Sequence, residues 1–171
     1  MQTPIRWIEG LNKGRLAITP RPMGTDYLPD EIFRWKLFGV NVVASLLQPD
    51  EAARHGLEKE AELCTAQGIS FLNYPLLDHG VPKSRRETAA FAHELNLLLV
   101  QDKTVLIHCF AGIGRSSLVA ACVLALRGMP PVEAFDRIAA ARGCQVPDTI
   151  QQLNWVVKFA ERLEDFKRRG S

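Results

Sequence analysis

Cysteine is sparse in this chain and never paired by spacing. Cys64, Cys109, Cys122 and Cys144 are the four present, and no two of them form a CxxC. Zinc ribbons and stapled secreted frameworks need close, repeated cysteines, so neither is indicated and a reducing compartment is expected. Histidine is equally thin, and His55, His79 and His93 are too dispersed to suggest a metal cluster. No apolar run approaches the roughly 18 residues that a membrane helix requires, and the opening MQTPIRWIEG lacks the basic and apolar blocks of a secretory signal. An excess of one charge is missing as well. Lys and Arg number 21 against 19 Asp and Glu, a formal net charge of +2, so the summed field argues for neither nucleic acid nor a membrane surface. No repeat or low-complexity tract divides the chain. These absences lead to an expectation of a cytoplasmic protein.

What remains is an ordinary folding sequence. At 171 residues and 47% hydrophobic content it can bury a core of its own. One domain over 1–171 is expected, with a short lead-in at 1–14 and a basic tail at 166–171. Runs of strand length occur at 15–19 (RLAIT), 40–47 (VNVVASLL), 69–76 (ISFLNYPL) and 103–109 (KTVLIHC), with a weaker one at 5–9 (IRWIE). Helical patterns lie between them. One spans DEIFRWKLFG and closes on Gly39; a long charged stretch from Glu51 closes on Gly68. SRRE at 84–87 reads as a capping box with Ser84 at the N-cap, opening a helix to about Val100. Three more helices follow, at 116–127, 131–142 and about 149–166. Near-continuous apolar strands alternating with helices imply an α/β fold with a mostly parallel central sheet of about five strands, flanked by helices. Ligands of such sheets bind beyond the carboxyl ends of the strands, where the segments LDHGVP (77–82) and Cys109 onward would open on one rim.

The segment VLIHCFAGIGRSS (105–117) turns from strand to helix at that rim. Amides at a helix start have no intrahelical acceptor, and the helix dipole adds partial positive charge. Gly112 and Gly114 allow the turn to curl so that amides converge as an anion-binding nest. Arg115 slightly opposes the dipole at this position, so helix stability does not recommend it, whereas a bound dianion would match its planar fork. The same donors would favour the thiolate of Cys109. A lone strand-end cysteine is ordinarily a small buried hydrophobe, but the combination with two glycines and an arginine points to chemistry. A nucleotide P-loop is disfavoured, because Gly112 and Gly114 are separated by one residue and an arginine follows where GxxxxGK[ST] has lysine.

HCFAGIGRS resembles the HCxxGxxR[ST] loop of the cysteine-based protein tyrosine phosphatases, matched at His108, Cys109, Gly112, Arg115 and Ser116. The wider chain looks like the compact dual-specificity branch, particularly the kinase-associated phosphatase group and its bacterial relatives. GTDYLPDEI, FLNYPLLDHGVP, AGIGRSS and RGCQVPDTIQQLNWV follow the order of that group, over most of residues 15–156.

The resemblance implies a phosphomonoesterase with a phosphocysteine intermediate, and no metal or cofactor. Cys109 would be the nucleophile and Arg115 the oxyanion clamp. Phe110, Ala111, Gly112, Ile113 and Gly114 would bind phosphate through the loop, and Asp78 would be the general acid. Ser116 would stabilise the thiolate as leaving group, and His108 would support the loop from a buried position. Gln152, with Gln151 adjacent, would contribute to the rim. Asp78 could equally serve an Asx-type turn before Gly80, and Gln152 could simply lie on a polar helix face. Lys83, Arg85 and Arg86 beside the acid loop hint at an anionic substrate, although exposed charge commonly does no more than meet solvent. The loop carries no lysine, which disfavours highly phosphorylated lipids on the family pattern and leaves a phosphoprotein or a small phosphomonoester; the expected partner is a phosphoprotein or phosphopeptide, met by a monomer. A non-protein phosphate, a silent phosphate-binding module and a redox-sensing thiol, the last requiring a second cysteine near Cys109, stand as alternatives.

Overall fold

In a computed structural model, described over residues 2–169, five strands form one sheet in the order β1-β2-β5-β3-β4. The strands are β1 (Arg6–Ile8), β2 (Arg15–Thr19), β3 (Val42–Ser45), β4 (Ser70–Asn73) and β5 (Thr104–His108). β1 is the antiparallel edge, with Trp7 opposite Ala17, and the other four strands run parallel. β5 is central, with Ile107 level with Ile18 on one side and Ala44 on the other. Parallel strands buried on both faces have to be apolar almost throughout, as TVLIH and VVAS are.

The helices are α1 (Leu28–Leu37), α2 (Pro49–Arg54), α3 (Glu60–Ala66), α4 (Arg85–Val100), α5 (Arg115–Leu126), α6 (Pro131–Arg142) and α7 (Ile150–Arg169). Alternate strand residues divide the core in two. Leu16, Ile18, Val105 and Ile107 pack beneath α4, α5, α6 and α7. Ala17, Val43 and Leu106 meet Ile32 and Trp35 of α1 and Cys64 of α3. α5 is apolar all round because it is surrounded by sheet and helices, and every residue from Arg115 to Ala125 is buried.

One expected helix is divided. The stretch from Glu51 to Gly68 forms α2 and α3, interrupted where Gly56 takes φ +66° and Leu57 turns into the core. The reason is tertiary: the Thr25 amide donates to Gly56 O at 2.9 Å, and a Cβ on Gly56 would lie 2.9 Å from that same nitrogen. The expected closures at Gly39 and Gly68 hold, with φ +80° and +69°. Ser84 Oγ accepts from Glu87 N at 3.1 Å, so Ser84 caps the start of α4, which is the N-cap half of the expected capping box. The basic tail continues α7 to Arg169, and residues 170–171 lie outside the described residues. Among the described residues no helix is long and apolar enough to cross a membrane.

Because β2, β3, β4 and β5 share a direction, the segments that follow them open on one edge of the sheet. Residues 20–27, 46–48, 74–84 and 109–114 are therefore neighbours although they are far apart in the chain.

Candidate active site

The loop 109–114 is shaped from outside. Phe110 O accepts from Arg21 N at 3.0 Å, while the Arg142 guanidinium at the end of α6 donates to Gly112 O at 3.1 Å and Ala111 O at 2.9 Å. In a trans peptide the carbonyl and the next N–H point opposite ways. Turning three successive carbonyls outward thus turns the amides of Ala111, Gly112 and Ile113 toward the other side of the loop. Gly112 is required by position as well as by conformation. Its φ is +68°, and a Cβ there would sit 2.7 Å from the backbone of Thr19 and Pro20.

Cys109 directly follows β5 with 3% of its surface exposed, and its Sγ lies 3.1 Å from Ser116 Oγ in the first turn of α5. Arg115 is 1% exposed and held from three directions. Glu51 of α2 grips it in a fork, Oε2 to Nη1 at 2.8 Å and Oε1 to Nη2 at 3.1 Å; Leu76 O accepts from Nη1 at 3.1 Å; Asp78 Oδ1 lies 3.2 Å from Nη2. Its Nε is buried and has no protein acceptor. A buried guanidinium N–H left without a partner is costly, and an arriving oxyanion would supply one. Burial works against the Arg115 charge, but the Glu51 hydrogen bond and the negative potentials of Cys109, Glu51 and Asp78 raise its pKa, so the cation is secure. For Glu51, burial raises the pKa, and the Arg115 and Gln48 hydrogen bonds with the Arg115 and Arg54 charges more than offset it, leaving the carboxyl below its ordinary value.

Asp78 is half exposed on the loop after β4. Its Oδ1 also accepts from His79 N at 3.1 Å, so the local turn and the approach to Arg115 coexist on one oxygen. Gln152 is fully buried near the start of α7, whereas Gln151 is exposed, so Gln152 is the one of the two that turns inward. It accepts from Thr149 N at 3.2 Å, receives Thr149 Oγ1 on its own N–H at 3.1 Å, and donates from Nε2 to Gly80 O at 3.1 Å. The start of α7 is thereby tied to the Asp78 loop. His108 is buried beneath the site, with Nε2 2.8 Å from Glu60 Oε1 and Nδ1 3.4 Å from Cys109 O.

Four participants escaped the sequence reading. Glu51, Glu60, Arg142 and Asp148 arrive from α2, α3, α6 and the lead-in to α7, each an unremarked charge in its own segment. Asp148 lies over Gly114, where a Cβ would come 2.3 Å from its Oδ2, and its carboxylate is 3.9 Å from His79 Nδ1. Only for Glu51 was there a usable signal, a carboxylate shortly beyond a rim-opening strand. Lys83 and Arg86 are exposed, and Arg85 buries its Nε without a partner. Cys64 sits in the other core cluster from Cys109, where burial and the nearby Glu60 push its thiol up to about 12; burial pushes the Cys122 thiol up further. Both remain protonated, and all four cysteines are free.

The family model of cyclin-dependent kinase inhibitor 3 matches residues 30–129. Cyclin-dependent kinase inhibitor 3 from Sus scrofa is 30% identical over 130 residues, which is 75% of this chain and 61% of that protein. Dual specificity protein phosphatase 22 from Mus musculus is 26% identical over 132 residues, with the same two shares. The chain thus spans about three fifths of the length of these curated relatives. A crystal structure of kinase associated phosphatase, with its catalytic-site cysteine replaced by serine, superposes with a TM-score of 0.86 over 96% of this chain and 97% of that one; at 24% identity this is a likeness of fold. Since the family match covers more than half of the chain, which also has that fold, this protein belongs to the cyclin-dependent kinase inhibitor 3 family, within the dual-specificity branch of the cysteine-based tyrosine phosphatases.

Proposed function

We propose that this chain is a phosphomonoester hydrolase of the tyrosine and dual-specificity type, acting on phosphoprotein or phosphopeptide through a phosphocysteine. The observation that carries the reading is Arg115: buried, doubly clamped by Glu51, with Nε unpartnered beside a cysteine and a loop whose carbonyls face outward. The Cys109 thiolate attacks phosphorus while the P–O bond to the leaving group breaks, and Asp78 gives its proton to the departing oxygen. Arg115 and the loop amides hold the equatorial oxygens through the transition state. In the second step Asp78, now ionised, takes a proton from water as the water oxygen bonds phosphorus, releasing inorganic phosphate. The Ser116 hydroxyl, 3.1 Å from Sγ, donates to the thiolate as it leaves.

The names of the relatives, dual specificity phosphatase and kinase associated phosphatase among them, support the class. A reducing, cytoplasmic setting is consistent with four free cysteines, and the chain is proposed to act as a monomer, which light scattering tests directly. The decisive experiment is acid quenching with a radiolabelled aryl phosphate. Wild-type protein should yield a phosphoenzyme that iodine cleaves, as it does an S-phosphate, and Cys109→Ser should abolish turnover while retaining vanadate binding. Full activity in Cys109→Ser would remove the assignment.

A further inference from the structure

The side chain that follows Cys109 is not buried with it. Phe110 is 42% exposed and stands on the rim between two basic groups: the His55 ring at 5.2 Å between centroids, and the Arg21 guanidinium at 5.3 Å from the ring centre. Arg21 is held in place by its backbone, through the bond from its N to Phe110 O, but its side chain donates only to the adjacent Pro22 O, at 3.2 Å. Among the described residues no carboxylate lies within 4.0 Å of it. The nearby acids are committed elsewhere, Glu51 to Arg115 and Asp50 to Arg54 at 2.9 Å. His55 senses this imbalance: burial first, then the Arg21 and Arg54 charges, hold its pKa below the ordinary value against a weaker opposing pull from Glu51. Phe110 and Arg21 also line a groove with Pro4, Pro20 and Met23, whose remaining lining is Gln2 and Thr3.

From this arrangement we infer that Arg21, with Phe110 as its platform, forms a subsite for the carboxylate of an acidic residue immediately flanking the phosphorylated residue of an extended peptide. The inference rests on the phosphatase reading above and adds a substrate preference to it. A guanidinium that has no carboxylate partner and spends only Nη1, on Pro22 O, matches an incoming carboxylate, and the planar ring beneath it keeps the fork oriented. The apolar groove accommodates the next residue of the peptide, and the short distance in sequence between Phe110 and Cys109 places the subsite beside the reacting phosphorus. A single guanidinium suits a single negative charge better than a second phosphate dianion.

The test compares phosphotyrosine peptides carrying Glu, Gln or phosphoserine immediately before or after the phosphotyrosine, with p-nitrophenyl phosphate as the substrate lacking any flank. The wild type should prefer Glu over Gln by about 10-fold in kcat/KM, expressed in KM and weakened by salt. Arg21→Gln should remove that ratio while leaving p-nitrophenyl phosphate turnover unchanged, and Arg21→Glu should transfer the preference to a lysine flank. Titrating the same peptides against Cys109→Ser reads the subsite as affinity, independently of turnover. Equal affinity for Glu and Gln peptides overturns the inference, as does a preference for phosphoserine with indifference to Glu, or a ratio that survives Arg21→Gln. Wild-type turnover of p-nitrophenyl phosphate tests the phosphatase reading separately.

Discussion

Arg115 illustrates how much a single side chain depends on distant ones. Its two Glu51 contacts are charge-assisted, worth about 1.5–3 kcal/mol in a buried setting. Glu51→Gln should therefore lower kcat/KM on an aryl phosphate by about 10- to 100-fold, measured in steady state, with vanadate affinity falling in parallel. The pH dependence has a definite sign. Because the folded pKa of Glu51 is depressed, its contribution to stability is fully present above the ordinary glutamate pKa of about 4.3, and is lost as pH falls through the folded value. The stability gap between wild type and Glu51→Gln, read from urea titrations, should be widest above that pH and close on acidification. A gap constant with pH would show that the carboxylate does not titrate as the structure implies. Asp78 makes a different prediction. Asp78→Asn should slow alkyl phosphates about 10²- to 10⁴-fold while barely affecting p-nitrophenyl phosphate, because only a poor leaving group needs the proton. At this scale Cys109, Arg115 and Ser116 were legible, since they lie within one short contiguous string. Glu51 and Arg142 were not, because nothing local distinguishes a carboxylate or guanidinium that acts across the rim from one that meets solvent.

The unit that matters next is the junction of β5 and α5. Its loop holds its shape because β2 packs against Gly112 and α6 supplies Arg142. Gly112→Ala introduces a Cβ both at positive φ and against backbone, so it should cost about 1–3 kcal/mol or more, seen as a lowered Tm, together with loss of activity. Arg142→Ala should be milder for stability, about 1–2 kcal/mol, yet should lower vanadate affinity about 10-fold, because two freed carbonyls let the loop amides lose their alignment. Arg142→Lys should not restore that affinity, since a single ammonium does not span both oxygens in a fixed plane. Element boundaries were readable where capping chemistry is local, as at Ser84, Gly39 and Gly68. The interruption at Gly56 was not, because the charged amphipathic pattern on either side is helical and only the docking of Thr25 against Gly56 selects the break.

For the whole molecule, the central strand couples the two cores. Leu106 is fully buried on the α1 and α3 side, one position from residues that face α5. Leu106→Ala should cost about 2–5 kcal/mol and lower Tm by roughly 5–15 °C in a chain of this size, by calorimetry. The same substitution at a helix surface position such as Leu97, 50% exposed, should shift Tm far less. By itself the sequence determined the alternation of apolar strands with helices, hence a mostly parallel sheet, and the chemical string at 108–116, because hydrophobic period, capping and a compact reactive loop are all properties of neighbouring residues. Only the tertiary structure decided which of the two glutamines turns inward, which carboxylates clamp Arg115 and His108, and that Arg21 stands beside Phe110 with no carboxylate partner. Those outcomes depend on strand order, which brings the ends of β2, β3, β4 and β5 to one edge, and strand order follows from packing that no local stretch of chain encodes.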